Sequence, residues 1–229
     1  MAAPFCSHFC FPAFISPRPA APLRARLRPP PFSCYDKGML YSPRIRAALA
    51  FALKVHETDQ KQKRRGKDVP YIVHPAAVGM ILSRAGADED TVIAGLLHDT
   101  IEDSAPDYRV TRPMIEDLFG ARVADLVTSV TEAPKSVPWE SRKEEALAHI
   151  AEYSHESLLL KSADTVSNAG DLVDDWKREG DRTFARFAIG KERFVGNYRR
   201  VIAALLAVWD GNPLAEDLRA LGEELGKMG

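Results

Sequence analysis

From residue 42 onward, apolar residues recur at spacings of three and four, and no convincing run alternates apolar with polar residues. Such spacing places apolar side chains on one face of a helix, whereas alternation is typical of a half-buried strand. Ser42-Pro43 opens the first helical segment with an N-capping residue and a proline in the first helical position. About ten helices with short connections are expected, which predicts a compact, all-α, multi-helix fold rather than a simple four-helix bundle.

The same spacing predicts where several helices lie. They are expected at about residues 121–131, 141–153, 155–179 and 191–209, with Asn212-Pro213 opening the last helix. Residues 95–103 are also expected to be helical. Short loops join these segments, and the loop at residues 61–68 is basic and contains glycine.

Residues 1–38 differ from the rest of the chain. They contain eight of the sixteen prolines, all three cysteines, five basic residues and one acid. Closely spaced prolines prevent a sustained helix, and an arginine-bearing segment poor in acids loosely resembles an organellar transit peptide. We expect residues 1–38 to be disordered or a mis-annotated extension ahead of Met39, and residues 39–229 to form one domain.

Composition excludes several kinds of partner for that domain. It keeps 26 basic and 31 acidic residues, a formal charge of −5 that disfavours binding to nucleic acid. No apolar run approaches the roughly 20 residues that span a membrane, so no membrane partner is expected.

Without cysteine after residue 38 the fold needs no disulfides, which fits the cytoplasm. A homo-oligomer stays open.

The segment from residue 95 to 103 concentrates ionisable groups. On a helix, His98 would lie above Glu102 and Asp99 above Asp103, beside an apolar stripe. Four such groups would repel and desolvate one another if left alone. A divalent cation would supply the missing positive charge, so the pattern favours a metal site.

Two further segments add ligands of the same type. His74 stands at the start of a helix, and Lys161, Asp164 and Asn168 share one helical face. Alone, each residue is more simply explained as a cap, a core histidine or a solvated acid. Together, two imidazoles and two carboxylates suit Mn²⁺, Fe²⁺ or Zn²⁺, and four protein ligands leave room for water and substrate oxygens.

Three blocks resemble the hydrolase domain of the RelA/SpoT family, which includes stand-alone small alarmone hydrolases and metazoan SpoT-like proteins. They are Pro70-Tyr-Ile-Val-His74-Pro75, Gly95-Leu-Leu-His98-Asp99-Thr-Ile-Glu102-Asp103-Ser104 and Lys161-Ser-Ala-Asp164-Thr-Val-Ser-Asn168. The similarity extends from about Tyr41 to about Leu206. It implies an all-α HD-domain fold that binds Mn²⁺ and removes pyrophosphate from the 3′ position of guanosine tetra- or pentaphosphate.

The resemblance also implies a role for each matching residue. The metal ligands would be His74, His98, Asp99 and Asp164. The catalytic pair, thought to position and activate the attacking water, would be Glu102 and Asp103. The residues that bind the phosphorylated nucleotide would be Lys63, Arg64, Arg65, Lys161 and Asn168.

The third block departs from the family pattern, which is close to KLADRLHNxR. Ser162 replaces an apolar residue, Thr165 a basic one and Gly170 an arginine. Loss of two basic groups leaves the substrate open. One alternative is an HD phosphohydrolase that acts on another nucleotide or a phosphomonoester. The other is a non-catalytic nucleotide-sensing module.

Overall fold

The computed structural model describes residues 41–228, so the expectation for residues 1–38 falls outside the described part. Within residues 41–228 there are nine α-helices: α1 (Pro43–Leu53), α2 (Val73–Arg84), α3 (Glu89–Leu97), α4 (Arg112–Phe119), α5 (Ala121–Val130), α6 (Trp139–His149), α7 (His155–Glu179), α8 (Lys191–Val208) and α9 (Ala215–Gly226). A π-helical turn, Lys54–Thr58, extends α1. Three 3₁₀ segments lie at Pro106–Tyr108, Ile150–Glu152 and Gly180–Arg186.

The predicted all-α fold is confirmed. Over the described range the structure has no named strand, and its β pairing is one isolated antiparallel bridge between Lys63 and Pro70. In the same range no helix is long and apolar enough to cross a membrane.

Side-chain caps mark the starts of three of the nine described helices. The side chains of Ser42, Asp88 and Ser154 accept hydrogen bonds from backbone N–H groups in the first turns of α1, α3 and α7. The last helix starts later than predicted. Asn212 Oδ1 accepts a hydrogen bond from Leu214 N at 2.9 Å, which holds a turn that precedes α9.

Two hydrophobic cores share the long helix α7. The amino-terminal core packs α1 to α5 against the first half of α7, around Phe51, Leu82 and Leu97. The carboxy-terminal core packs the later turns of α7 against α8 and α9, around Leu205 and Leu218. Because α7 has 25 residues, it is about 37 Å long and reaches both cores.

Two glycines allow α2 and α3 to approach closely. A Cβ atom on Gly95 would lie 2.3 Å from Leu82 Cδ1, and one on Gly79 would lie 2.8 Å from Leu96 Cδ2. Any larger residue would therefore force Leu82 or Leu96 to move, or push the two helices apart. This close approach brings the start of α2 next to the end of α3, where the histidines of the candidate site lie.

Candidate metal centre and its basic cavity

The segment at residues 98–103 is not the regular helix that the sequence predicts. Helix α3 ends at Leu97, and residues 98–102 form tight turns. Thr100 donates both its N–H and its hydroxyl to the carbonyl of Leu97, at 2.9 and 2.7 Å. Threonine side chains that bond to the backbone in this way compete with helical hydrogen bonding. Asp103 N still donates to the Asp99 carbonyl at 2.9 Å, so the segment keeps one helix-like turn.

Four side chains from three separate segments of the chain converge at this point. His74 Nε2 lies 3.2 Å from His98 Nε2 and 3.6 Å from Asp99 Oδ2, and His98 Nε2 lies 3.1 Å from Asp99 Oδ2. Asp164 Oδ1 lies 3.3 Å from His74 Nε2 and 3.8 Å from His98 Nε2. Ligands about 2.0–2.2 Å from a shared ion have separations of this size. His74, His98 and Asp99 form a group whose ligand atoms all lie within 4.8 Å of one another, and Asp164 joins it through its contacts with the two histidines.

Hydrogen bonds orient both imidazoles. His98 Nδ1 lies 2.8 Å from the carbonyl oxygen of Gly95, which can only accept. Nδ1 therefore carries a proton, and in the neutral ring, which is the form that binds a metal, Nε2 presents its lone pair to the cluster. His74 Nδ1 lies 2.9 Å from Ser167 Oγ. This is the usual support of a metal-binding histidine.

The cluster attracts positive charge strongly. Burial lowers the pKa of His98, but the charge and hydrogen bond of Asp99 and the charge of Asp164 outweigh it and raise that pKa to about 9. The pKa of the Asp99 carboxyl is lowered, because His98 and His74 outweigh its burial. His74 and His98 are only 2% and 4% exposed. A buried set of two imidazoles and two carboxylates fits a divalent cation.

Three neighbours hold the two carboxylates of the cluster. Tyr71 donates its hydroxyl to Asp99 Oδ2 at 2.5 Å. Lys161 Nζ lies 2.9 Å from Asp164 Oδ2, and Asn168 Nδ2 donates to Asp164 Oδ1 at 2.6 Å. Lys161 and Asn168 therefore contact a predicted metal ligand as well as the cavity. The part played by Tyr71 was missed from the sequence, although its place beside Pro70 in the first block was a signal.

Glu102 and Asp103 have different surroundings. Burial, together with the charges of Asp99 and Glu132, raises the pKa of Glu102 to about 7. Arg142 Nη1 lies 3.8 Å from Glu102 Oε1. Asp103 instead accepts a hydrogen bond from Gln62 Nε2 at 2.9 Å and pairs with Lys135. Asp103 is thus tethered, and Glu102 is poised to exchange a proton near neutral pH.

The cluster forms part of the floor of a cavity of about 490 Å³. The predicted site residues that line this cavity are Lys63, Arg64, Arg65, His98, Asp99, Glu102, Asp103, Lys161, Asp164 and Asn168. His74 lies buried beneath the cavity floor. One spatial site therefore holds all the residues that were predicted to bind metal or substrate or to act in catalysis.

The basic loop forms one wall. Arg64 Nη2 donates to Asn168 Oδ1 at 2.8 Å and to Asp171 Oδ2 at 2.9 Å. The Arg65 guanidinium lies 5.9 Å from the Phe187 ring centroid. Lys63 forms an exposed ion pair with Asp68. Its amino group is therefore engaged by Asp68 rather than by the metal cluster.

A further part of the cavity lining was not predicted from the sequence. It carries Glu132 and the α6 residues Trp139, Arg142 and Lys143. Glu132 pairs with Lys143 and lies 3.1 Å from Arg142 Nη1. These residues match none of the three sequence blocks.

The fold and this site define an all-helical domain with a histidine–aspartate cluster in a basic cavity. A family model described as HD domain matches residues 48–189. The chain belongs to the HD-domain family, and membership implies a divalent metal.

Curated relatives carry the name that the resemblance suggested. The chain is 37% identical over 124 residues to guanosine-3′,5′-bis(diphosphate) 3′-pyrophosphohydrolase MESH1 of Danio rerio, covering 53% of this chain and 65% of that protein. It is 36% identical over 135 residues to an Aquifex aeolicus guanosine-3′,5′-bis(diphosphate) 3′-pyrophosphohydrolase, covering 58% of this chain and 18% of that protein. The chain therefore spans less than two thirds of each relative. The predicted resemblance to SpoT-type proteins is confirmed.

Solved structures agree with the fold. A metazoan SpoT orthologue, described as hydrolysing ppGpp, superposes with a TM-score of 0.67 at 26% identity, covering 82% of this chain and 99% of that one. A protein of Listeria monocytogenes superposes with a TM-score of 0.60 at 28% identity, covering 68% of this chain and 97% of that one.

Proposed function

We propose that this protein is a metal-dependent phosphohydrolase that removes pyrophosphate from the 3′ position of guanosine tetra- or pentaphosphate. The observation that carries the proposal is the convergence of His74, His98, Asp99 and Asp164 at a cavity with basic residues in its lining, to which the last three of these contribute. The names of the relatives described above support the same substrate. The domain responsible is taken as residues 39–229, and the phosphorylated nucleotide is its partner.

The four converging side chains would hold a divalent cation, for which we propose Mn²⁺. Carboxylate and imidazole ligands without thiolates suit this ion. When bound, such a cation lowers the pKa of water and polarises a phosphoryl oxygen. Gly95 and Ser167, which hold the outer ring nitrogens, keep the inner nitrogens aimed at it.

Glu102 is proposed as the general base. Its carboxylate takes a proton from water, and the water oxygen attacks the phosphorus that is bonded to the ribose 3′ oxygen. That P–O bond breaks, the 3′ oxygen gains a proton, and pyrophosphate leaves. A pKa of about 7 suits this exchange. Asp103, held by Gln62 and Lys135, is proposed to position the water.

Cations of the cavity wall are proposed to bind the phosphates. Burial would lower the pKa of Lys161, but Asp164 outweighs it and raises that pKa, so Lys161 stays charged. Arg64, between Asn168 and Asp171, presents a guanidinium that can bind phosphate through two hydrogen bonds. Lys63 and Arg65 complete the proposed substrate-binding set on the basic loop.

The departures in the third block affect this proposal unequally. Ser162 is fully buried and accepts a hydrogen bond from Asn212 Nδ2 at 2.8 Å, away from the cavity. Gly170 does not line the cavity either, whereas Thr165 does. The Thr165 hydroxyl donates a hydrogen bond to the Lys161 carbonyl at 2.7 Å, and the side chain carries no charge. Only this one change removes a cation from the wall itself.

The test incubates the purified full chain with Mn²⁺ and guanosine tetraphosphate and measures GDP and pyrophosphate by chromatography. We expect both products in equal amounts, and none after chelation of the metal. Turnover of other nucleotides or phosphomonoesters without turnover of guanosine tetraphosphate would favour a different HD phosphohydrolase. Tight nucleotide binding with no turnover of any substrate would favour a sensor.

The proposed compartment is the cytoplasm. The segment after residue 38 contains no cysteine, so its fold needs no oxidising environment. Fractionation of cells that produce the native protein tests this location.

A further inference from the structure

We infer that the cavity contains a second anion-binding subsite, built by Lys67 and Arg186, that binds the phosphate groups at the end of the substrate opposite the scissile bond. The inference rests on the proposed function for the direction in which the nucleotide lies. Neither residue belongs to the metal cluster. Lys67 lies in the basic loop noted in the sequence, and Arg186 lies outside that loop and the three sequence blocks.

An excess of positive charge marks this subsite. The carboxylate of Asp175 is 2% exposed and pairs with three cations, Lys67 at 2.6 Å, Arg178 and Arg186. One carboxylate neutralises only one of these charges, so the group carries a net positive charge. Lys67 and Arg186 line the cavity, whereas Arg178 has a side chain that is 65% exposed.

Arg186 is held in place before any ligand binds. Its side chain is 14% exposed and packs on Gly66, where an added Cβ would lie 2.5 Å from Arg186 Cδ. Gly66 has a φ of 70°, which also favours glycine. The guanidinium lies 5.4 Å from the Phe187 ring centroid. A pre-organised arginine loses little side-chain entropy when it binds an anion.

The spacing along α7 suits a substrate with phosphates at both ends. Asp164 of the metal cluster and Asp175 are eleven residues apart on this helix, which separates them by about 16 Å along its axis. Lys67 also lies 3.6 Å from Asp171, the partner of Arg64. A chain of cations thus leads from the metal cluster to Arg186, across the length of a nucleoside and its flanking phosphates.

This subsite would give the enzyme a preference for nucleotides that carry a 5′-diphosphate. A phosphomonoester or a nucleotide with a free 5′ hydroxyl would reach the metal cluster but leave Lys67 and Arg186 unused. The distal cations would also compensate for the uncharged Thr165 in the third block. Substrate choice would then depend on charge at the far end of the cavity.

Equilibrium binding tests the subsite without any reaction. Calorimetry on the full chain would compare GDP, which lacks a 3′ phosphate, with guanosine. We expect Arg186→Ala and Lys67→Ala each to weaken GDP binding by on the order of tenfold and to leave guanosine binding unchanged. Arg178→Ala is the matched control, because it removes a cation from the same carboxylate outside the cavity.

Kinetics give the second arm. Arg186→Ala should lower kcat/KM for guanosine tetraphosphate, and leave kcat/KM unchanged for guanosine 3′-diphosphate with a free 5′ hydroxyl. Equal losses on both substrates, or an equal loss in Arg178→Ala, would overturn the subsite. If no variant or wild-type protein hydrolyses either substrate, the proposed function fails, and the GDP binding series still decides whether the subsite exists.

Discussion

The two sides of the cavity are built in different ways. On the metal side, His74 and His98 are buried at the junction of α2 and α3, inside the amino-terminal core. On the other side, which we call the α6 side, helix α6 (Trp139–His149) has no buried residue among those that the structure describes. Its charged side chains are held by ion pairs such as those of Glu132 with Arg142 and Lys143.

This contrast separates chemistry from recognition. A metal cluster needs ligands fixed to a fraction of an ångström, and dense packing supplies that constraint. Phosphate binding depends on charge and tolerates movement, and α6 buries none of its residues in a hydrophobic core. We therefore expect substitutions on the metal side to affect both stability and turnover, and substitutions on the α6 side to affect mainly substrate binding.

The largest effect is expected for Asp99→Ala. The change removes an oxygen that lies 3.1 and 3.6 Å from the two imidazole nitrogens. Metal content should fall to background, and turnover should fall by more than the roughly 100-fold typical of losing an outer partner of a ligand. Elemental analysis and steady-state kinetics measure both. Asp107→Ala, in the exposed segment Pro106–Tyr108, is the control and should change neither; a metal-loaded, active Asp99→Ala would refute the assignment.

Glu102→Gln should lower kcat by about 10²–10⁴-fold while metal content stays normal, because a general base contributes on that scale. Wild-type activity should rise with pH through about 7, since the carboxyl of Glu102 must lose its proton to act as a base. The variant should lack this limb of the pH profile. An unchanged profile in Glu102→Gln would show that another group accepts the proton.

Two glycine substitutions compare packing at different places. Gly95→Ala should reduce the free energy of unfolding by about 1–3 kcal/mol, because its Cβ would collide with Leu82. Gly170→Ala, in the middle of α7, has nothing within 4 Å of the added Cβ and should stabilise the protein by about 0.4–1 kcal/mol. Urea unfolding measures both values. The same sign for the two variants would contradict the packing described for α2 and α3.

The smallest effect on stability is expected for Trp139→Ala in α6. The indole lines the cavity, and the Arg193 guanidinium lies 5.9 Å from its ring centroid. Since α6 buries none of its residues, unfolding free energy should change by no more than about 0.5 kcal/mol, while KM rises. A loss of more than about 2 kcal/mol would show that α6 belongs to the folded core.

The residues on the metal side were predicted better from the sequence than the residues on the α6 side, and the reason is physical. Apolar spacing fixes which faces of α2, α3 and α7 are buried. His74 and Asp164 stand at defined places on α2 and α7, and His98 directly follows the end of α3. Glu132 and Arg186 come from a loop and a 3₁₀ segment, where no period relates position to direction. Their place in the cavity is set by tertiary packing, which spacing along the chain does not encode.

Local chemistry explains the main error. The spacing of residues 95–103 fitted a helix. The hydroxyl of Thr100, however, donates a hydrogen bond to the Leu97 carbonyl, and α3 ends at Leu97. Likewise, Asn212 binds the backbone of Leu214, so the last helix begins after Pro213 rather than at it. In both cases one side-chain hydrogen bond outweighs a weak helical preference.

The most direct test is anomalous diffraction at the manganese edge from a crystal of the full chain grown with Mn²⁺. The account predicts one strong peak within bonding distance of His74 Nε2, His98 Nε2, Asp99 and Asp164. A peak elsewhere, or four ordered side chains with no ion bound between them in saturating manganese, would contradict the central claim.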